Sequence, residues 1–319
     1  MATPLKIKGT TVPPGTRQRL EIPAARLPTD TWLSLPIEVV NGARSGPNLW
    51  LSAAVHGDEL NGVEIIRRVL ERLDPKRLAG AVIAVPIVNV FGFISQSRYL
   101  PDRRDLNRSF PGSANGSLAA RLANLFMTEV VSQCGYGIDL HTGSNHRSNL
   151  PQIRANLEDG ETRRIAEAFG APAMVHSSLR DGSLRQAATK RGIHVLVYEA
   201  GEPMRFEEGV IELGYRGILR VMSALEMRKQ KARRRFAPVV VWNTTWVRAR
   251  RGGIFRLGVE LGQEVETTHP LGFIADAFGG NRVVVKSPTD GMVIGHTNNP
   301  LVTRGDALVH LAAEMCASR

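Results

Sequence analysis

Leu49-Trp50-Leu51-Ser52-Ala53-Ala54-Val55 is a compact apolar run, and it ends on His56-Gly57-Asp58-Glu59. From Gly62 the pattern changes, because Val63, Ile66, Val69, Leu70 and Leu73 recur at helical spacing until Pro75. A short apolar run followed by an amphipathic stretch reads as strand, turn and helix. The alternation continues down the chain. Residues 81–88, 136–140 and 194–198 read as strands, and residues 118–131 and 161–169 as helices. Residues 211–231 read as a long final helix. Strands alternating with helices predict an α/β fold with a mostly parallel sheet flanked by helices.

On the N-terminal side, residues 1–46 read as an irregular or β-type lead-in, with strand-like alternation at Glu21-Ile22-Pro23 and over residues 33–40. On the C-terminal side, Arg228, Lys229, Lys231, Arg233, Arg234 and Arg235 form a basic run, and the composition changes after it. Short β runs follow, separated by Gly252-Gly253, Gly279-Gly280-Asn281 and Asn298-Asn299-Pro300, with no helical period of useful length. The expected organisation is a main domain over residues 1–235 and a small all-β domain over residues 236–319.

The chain has 319 residues, 43% of them hydrophobic and 22% charged, which is ordinary for a globular protein. It contains no apolar stretch of about 18 residues, so no membrane span is expected. The first residues lack the apolar core of a secretory signal. The two cysteines, Cys134 and Cys316, are too few and too far apart for a disulfide framework or a thiolate metal site, and a cytoplasmic location is the simplest reading. The formal charge is +11. The basic run reads as a solvated helix end and linker, and no nucleic-acid partner is expected, because no nucleic-acid-binding motif accompanies it. The remaining positive charge favours anionic substrates by steering.

Three segments place one metal-binding or base-type residue at the end of an apolar run: His56-Gly57-Asp58-Glu59, Asp139-Leu140-His141 and Tyr198-Glu199-Ala200-Gly201. In an open α/β sheet, sites form at the carboxyl ends of the strands, so the three segments converge on one rim. Two imidazoles, a nearby carboxylate and a separate carboxylate are the inventory of a catalytic zinc site: three ligands, an open position for water and a general base. The expected ligands of one zinc per chain are His56, Glu59 and His141. Glu199 is the expected base, which takes a proton from water and returns it to the leaving amine. Asp139 reads either as a partner that fixes a ligand imidazole or as a strand-end turn former. Asp58 reads as a helix cap.

A fourth segment, Arg98-Tyr99-Leu100-Pro101-Asp102-Arg103-Arg104-Asp105-Leu106-Asn107-Arg108-Ser109-Phe110-Pro111-Gly112, is a polar loop with four arginines. A guanidinium fork binds carboxylates, and an arginine near a metal can stabilise an oxyanion. Composition alone favours a solvated loop. His146 reads as a surface residue, and His176, His194, His269, His296 and His310 read as structural. Arg147 and Arg154 read as loop arginines that extend a basic pocket or face water.

His56-x-x-Glu59, Asp105-Leu106-Asn107-Arg108-x-Phe110-Pro111-Gly112, Asp139-Leu140-His141 and Glu199-Ala200-Gly201 together resemble the succinylglutamate desuccinylase/aspartoacylase family, part of the wider zinc carboxypeptidase-like fold. The resemblance spans about residues 48–225. It implies zinc-dependent hydrolysis of an N-acyl amide on an amino acid or similar small amine. It also implies that Asn107 and Arg108 grip the substrate carboxylate and that Arg98 polarises the scissile carbonyl, with Arg103 and Arg104 as alternatives for the last role. The C-terminal stretches 258–265, 287–293 and 302–308 resemble a biotinyl/lipoyl-like barrel sandwich. The hairpin tip Phe278-Gly279-Gly280-Asn281 carries no lysine, so no prosthetic group is expected, and Lys286 reads as a strand residue.

The expected partner is a small anionic N-acyl amino acid, with self-association left open. Two other functions fit parts of the pattern. A zinc carboxypeptidase trimming peptide C-termini would use the same metal and arginine grip. A non-catalytic metal-binding or interaction protein would need four protein ligands and no spare base, which Glu199 argues against.

Overall fold

The computed structural model describes residues 2–229 and 238–317. A hairpin of β1 (Leu5–Ile7) and β2 (Thr10–Val12) precedes two long antiparallel strands, β3 (Thr16–Arg26) and β4 (Trp32–Asn41). The first parallel unit is β5 (Arg44–Ala53), α1 (Asn61–Glu71) and β6 (Ala79–Val85). It is followed by α2 (Val90–Ile94), α3 (Leu118–Glu129), β7 (Tyr136–His141) and β8 (Arg147–Ala155). Next come α4 (Gly160–Phe169), β9 (Ala173–His176), α5 (Leu184–Thr189), β10 (His194–Gly201) and α6 (Glu208–Ala224). The C-terminal part contributes β11 (Val239–Arg248), β12 (Gly253–Leu257), β13 (Glu264–Val265) and β14 (Pro270–Ala275). It ends with β15 (Val283–Lys286), β16 (Gly291–Thr297), β17 (Leu301–Val302) and β18 (Ala307–Ala317).

The main sheet runs β13-β16-β18-β11-β9-β8-β10-β7-β5-β6-β4-β3. Its centre is parallel, with β6, β5, β7 and β10 in one direction. The flanks are antiparallel: β4 against β6 and β8 against β10. The sheet is therefore mixed, where the helix–strand alternation predicted a mostly parallel one. Direction is set by crossover length and long-range pairing, which local apolar patterns do not encode.

Side chains alternate across this sheet with period two. Leu49, Leu51, Ala53, Leu140, Leu196 and Tyr198 face α1, α4 and α6 in one buried core. Trp50, Ile83 and Val195 face the opposite core, which is covered by α3 and α5. Trp50 fits because β7 offers no side chain at Gly137, where an added Cβ would lie 2.2 Å from the indole. Farther along that same face of β7 come Asp139 and His141.

The C-terminal strands do not form a stand-alone lipoyl-like sandwich. β11 pairs parallel with β9, and β16 pairs with both β18 and β8. Among the described residues, β8, β9, β11, β18 and β16 thus close into a barrel. Ala173, Val175, Val241, Met292, Ile294 and Ala312 pack its interior. A smaller antiparallel sheet, β15-β14-β12-β17, packs over Phe255, Leu271, Ile274 and Leu308. The final helix stops at Ala224, short of the expected residue 231. The expected domain boundary and the basic run from residue 230 lie outside the described residues.

Candidate metal centre and its cleft

β5 ends at Ala53, and the chain turns through Ala54, whose φ of 47° lies in the left-handed region. The turn presses Gly57 against the backbone of α2, where an added Cβ would come within 1.9 Å of the Gly92 carbonyl carbon. This close approach delivers His56 and Glu59 to the rim. His141 ends β7, and Glu199 lies opposite it on β10 in parallel register. The strand-end convergence expected from sequence is the observed arrangement.

His56, Glu59 and His141 are all buried, and their ligand atoms lie within 4.8 Å of one another. His56 Nδ1 is 2.8 Å from Glu59 Oε1, and His141 Nδ1 is 2.8 Å from Glu59 Oε2. The outer ring nitrogens are also held. His141 Nε2 lies 2.7 Å from Asp139 Oδ2, and His56 Nε2 lies 3.2 Å from Asp105 Oδ1. Asp139 is itself fixed by Ser52, whose hydroxyl donates to Oδ1 at 2.7 Å.

The electrostatics follow from this geometry. Burial opposes ionisation of Glu59, but the His56 and His141 rings outweigh it and hold the carboxyl well below its ordinary range. Burial also opposes charging of both imidazoles. The Glu59 and Asp105 carboxylates raise His56 nonetheless, and Asp139 and Glu59 raise His141. Each ring thus faces an inner carboxylate at Nδ1 and an outer one at Nε2. A divalent cation fits this donor set, since the two inner Nδ1 atoms and Glu59 can serve as its ligands while the outer carboxylates keep the ring orientation.

Arg98 reaches into the same cluster. Its guanidinium donates to Asp105 Oδ2 at 2.8 Å and to the Ser144 hydroxyl at 2.6 Å, and it lies 3.5 Å from Glu59 Oε1. Arg103 and Arg104 are exposed and do not line the cleft. Asn107 accepts from the Leu184 N–H at 2.9 Å, which ties the loop to the start of α5. Arg108 stands exposed at the cleft wall. Glu199 is half-buried, and its Oε2 accepts from the Asn149 amide at 3.0 Å. Asp58 does not cap α1: the cap position is Leu60, and Asp58 Oδ1 has no partner.

These groups line one cleft of about 670 Å³. Several contributors carried no role in the sequence reading, among them Asp105, Ser144, Asn149, Arg185 and Trp246. Asp105 sat inside the quoted loop motif, and its pairing with His56 is visible only in three dimensions. Asn149 and Trp246 lacked any local signal, because β8 and β11 reach the site through barrel closure, and Ser144 lies in the loop between β7 and β8. Arg147 and Arg154 lie on β8, a strand, where sequence suggested a loop. His146 is exposed. No helix among the described residues is long and apolar enough to cross a membrane.

Comparison with known proteins adds to this geometry. The succinylglutamate desuccinylase/aspartoacylase catalytic domain matches residues 45–225. A succinylglutamate desuccinylase/aspartoacylase structure from Rhodobacter sphaeroides is 28% identical with TM-score 0.84, covering 95% of this chain and 96% of that one. A product-bound ectoine utilization protein from Ruegeria pomeroyi, 23% identical with TM-score 0.85 over 97% of this chain and 98% of that one, shares the fold. An N-alpha-acetyl-L-2,4-diaminobutyric acid deacetylase from Halomonas elongata is 34% identical over 144 residues, which span 43% of this chain and 42% of that deacetylase.

Proposed function

The chain belongs to the succinylglutamate desuccinylase/aspartoacylase family, and we propose that it hydrolyses the amide bond of a small N-acyl amino acid, with one zinc ion held by His56, Glu59 and His141. The observation that carries this reading is the buried His56–Glu59–His141 group beside a free carboxylate, Glu199, in one arginine-lined cleft. Three ligands and a spare base suit catalysis, whereas a structural zinc takes four protein ligands. Zinc in that set would polarise the amide carbonyl and lower the pKa of the attacking water.

The chain's own residues then have distinct tasks. Asp139 and Asp105 accept from the outer Nε2–H of the two imidazoles and so direct both Nδ1 atoms inward. Glu199, steadied by Asn149, accepts a proton from water as its oxygen bonds to the carbonyl carbon. It returns that proton to the amine as the C–N bond breaks. Arg98 donates to the carbonyl oxygen as negative charge develops there. Asn107 and Arg108 hold the carboxylate of the amino acid half.

The test is a screen of N-acetyl, N-formyl and N-succinyl amino acids and short peptides with zinc-loaded enzyme, measuring released amine. Turnover of acyl amino acids without peptide cleavage is expected. Cleavage of C-terminal residues from peptides alone would replace this reading with a carboxypeptidase. Glu199→Gln is expected to keep its zinc and lose turnover, and unchanged activity would remove Glu199 as the base.

A further inference from the structure

A second pocket lies at the end of the first parallel unit opposite the metal ligands. It has a volume of about 440 Å³ and is lined by Arg44, Arg72, Lys76, Arg77, Arg228 and Lys229, with Asp74 as its one carboxylate among the described residues. Arg44 opens β5, a strand of 10 residues whose far end at Ala53 leads to His56. At about 3.3 Å per residue the two sites are roughly 30 Å apart, so this pocket is no part of the cleft. Its frame is held by the backbone. The loop from α1 to β6 supplies residues 72–78, and the turn after α6 supplies Arg228 and Lys229. The Ala43 N–H donates to the Pro75 carbonyl at 2.9 Å, and the Ala79 N–H donates to the Met227 carbonyl at 2.9 Å. Arg44 Nη2 donates to the Arg77 carbonyl at 2.6 Å.

Cations commonly gather at helix C-termini, where carbonyls lack partners. Here those carbonyls have other donors. Arg17 donates to the Leu70 and Leu73 carbonyls at 2.6 Å each, and Arg164 donates to the Ala224 carbonyl at 2.9 Å. Neither arginine lines the pocket. Asp74 accepts from the Lys76 backbone N–H at 2.9 Å, which marks it as a turn former. Six cations against Asp74 and two helix ends, each worth roughly half a negative charge, leave an excess of about four positive charges. Burial and the neighbouring Arg72 guanidinium hold Arg228 below its ordinary pKa. The cations thus repel one another, and a bound anion relieves that repulsion.

A phosphate group carries about two negative charges, so two or three linked phosphates match the excess. Guanidinium forks and ammonium groups are the side chains that bind phosphate oxygens. A concave pocket of this size holds a small molecule, whereas a nucleic-acid backbone calls for a stripe of cations. Leu73 and Leu78 add an apolar wall. In the sequence, the basic run continues past Lys229 with Lys231, Arg233, Arg234 and Arg235, outside the described residues.

We propose that this pocket binds a small oligophosphate, either free or as the phosphate tail of a nucleotide. The proposal is independent of the deacylase reading, since no residue of the metal cleft takes part in it.

The experiment is calorimetric titration of the full chain with tripolyphosphate, ATP and orthophosphate at constant ionic strength. Each charge-assisted contact to a phosphate is worth roughly tenfold in affinity, so tripolyphosphate is expected to bind about tenfold or more tighter than orthophosphate. Arg72→Gln/Lys76→Gln/Arg77→Gln is expected to weaken tripolyphosphate binding about 10- to 100-fold at an unchanged melting temperature, since these side chains are exposed. Lys190→Gln/Lys286→Gln/Arg304→Gln removes the same charge from other exposed positions and is expected to bind like the wild type. Lys76→Glu alone is expected to weaken binding in the same direction, which keeps the test decisive if the triple variant does not fold. ATP binding equal to that of tripolyphosphate assigns the phosphate chain alone, and tighter ATP binding assigns a nucleotide. Equal isotherms for wild type and the triple variant would place the anion elsewhere, and an equal loss in the control variant would reduce the effect to net charge. Either result overturns the pocket. A single-stranded oligonucleotide that binds tighter than ATP, and loses that affinity in the triple variant, would replace the oligophosphate with a nucleic acid.

Discussion

The Asn149 amide donates to Glu199 Oε2 at 3.0 Å, from a strand on which the barrel closes. Asn149 is buried, and Gly295 of β16 packs directly against it, where an added Cβ would lie 2.9 Å from Asn149 Oδ1. The C-terminal strands thereby set the position of a carboxylate that lies outside their own sequence. Losing one hydrogen bond to a charged group is worth about 1.5 kcal/mol, or roughly tenfold in rate. Asn149→Ala is expected to lower kcat about tenfold with KM nearly unchanged, and Gly295→Ala to act in the same direction. A KM effect with normal kcat would place Asn149 in substrate binding instead.

Metal removal is expected to cost stability as well as activity, because Glu59, His56 and His141 are buried around one point. A ligand present at about 100 times its Kd stabilises by roughly 2.7 kcal/mol, which corresponds to several degrees in Tm for a chain of this size. Scanning calorimetry with and without a chelator reads this shift, and added zinc should restore it. Asp139→Asn is expected to weaken metal binding about 10- to 100-fold, through the lost support of His141 Nε2. Competition with a chromophoric chelator measures that change, and wild-type affinity in the variant would show that the Asp139 contact with His141 does not support metal binding.

Gly57 links packing to the site. A Cβ there would overlap the Gly92 carbonyl carbon at 1.9 Å and the Phe93 nitrogen at 2.2 Å, both backbone atoms that cannot swing aside. Gly57→Ala is expected to cost about 1–3 kcal/mol by overpacking. It should also reduce zinc content, since the shift moves His56 and Glu59. Equal stability and zinc content in the variant would mean that the turn has more room than its contacts indicate.

The pattern that made His56, His141 and Glu199 legible is local. Each follows an apolar run that must be a buried strand, and strand ends are where an α/β sheet places its chemistry. β8 was not legible for the opposite reason. Its sequence, RSNLPQIRA, turns Arg147, Asn149 and Arg154 to the cleft and interrupts the run with Pro151 and Gln152, so it lacks the alternation that marks a strand. It is a strand only because β10, β9 and β16 pair with it from distant parts of the chain. Missing β8 meant missing the barrel, and with it the places of Asn149, Arg147, Arg154 and Trp246. The expected extension of the final helix to residue 231 failed in another way. α6 ends at Ala224, and Glu226 takes a φ of 57°, so the chain leaves the helix before the basic run begins.

His310 gives the barrel mouth a measurable pH signature. It is 4% exposed, stacked on Trp246, and has no partner for Nδ1. Burial, reinforced by Arg154 and Arg147, pushes its pKa down to about 3. In the unfolded chain the imidazole returns to its ordinary value near 6.5. Between these values the unfolded state binds a proton that the folded state refuses. Stability is therefore full above about pH 6.5 and is lost as the pH falls towards 3, by an amount on the order of a few kcal/mol. His310→Phe keeps an aromatic face for Trp246 and cannot take up the proton. Urea denaturation from pH 7 to pH 4 is expected to show the wild-type protein losing stability faster than the variant on the acid side. Arg147→Gln/Arg154→Gln should flatten the same slope in part, because it removes the cations that help keep His310 neutral. Parallel stability curves for wild type and His310→Phe would mean that His310 takes up its proton as easily in the folded barrel as in the unfolded chain.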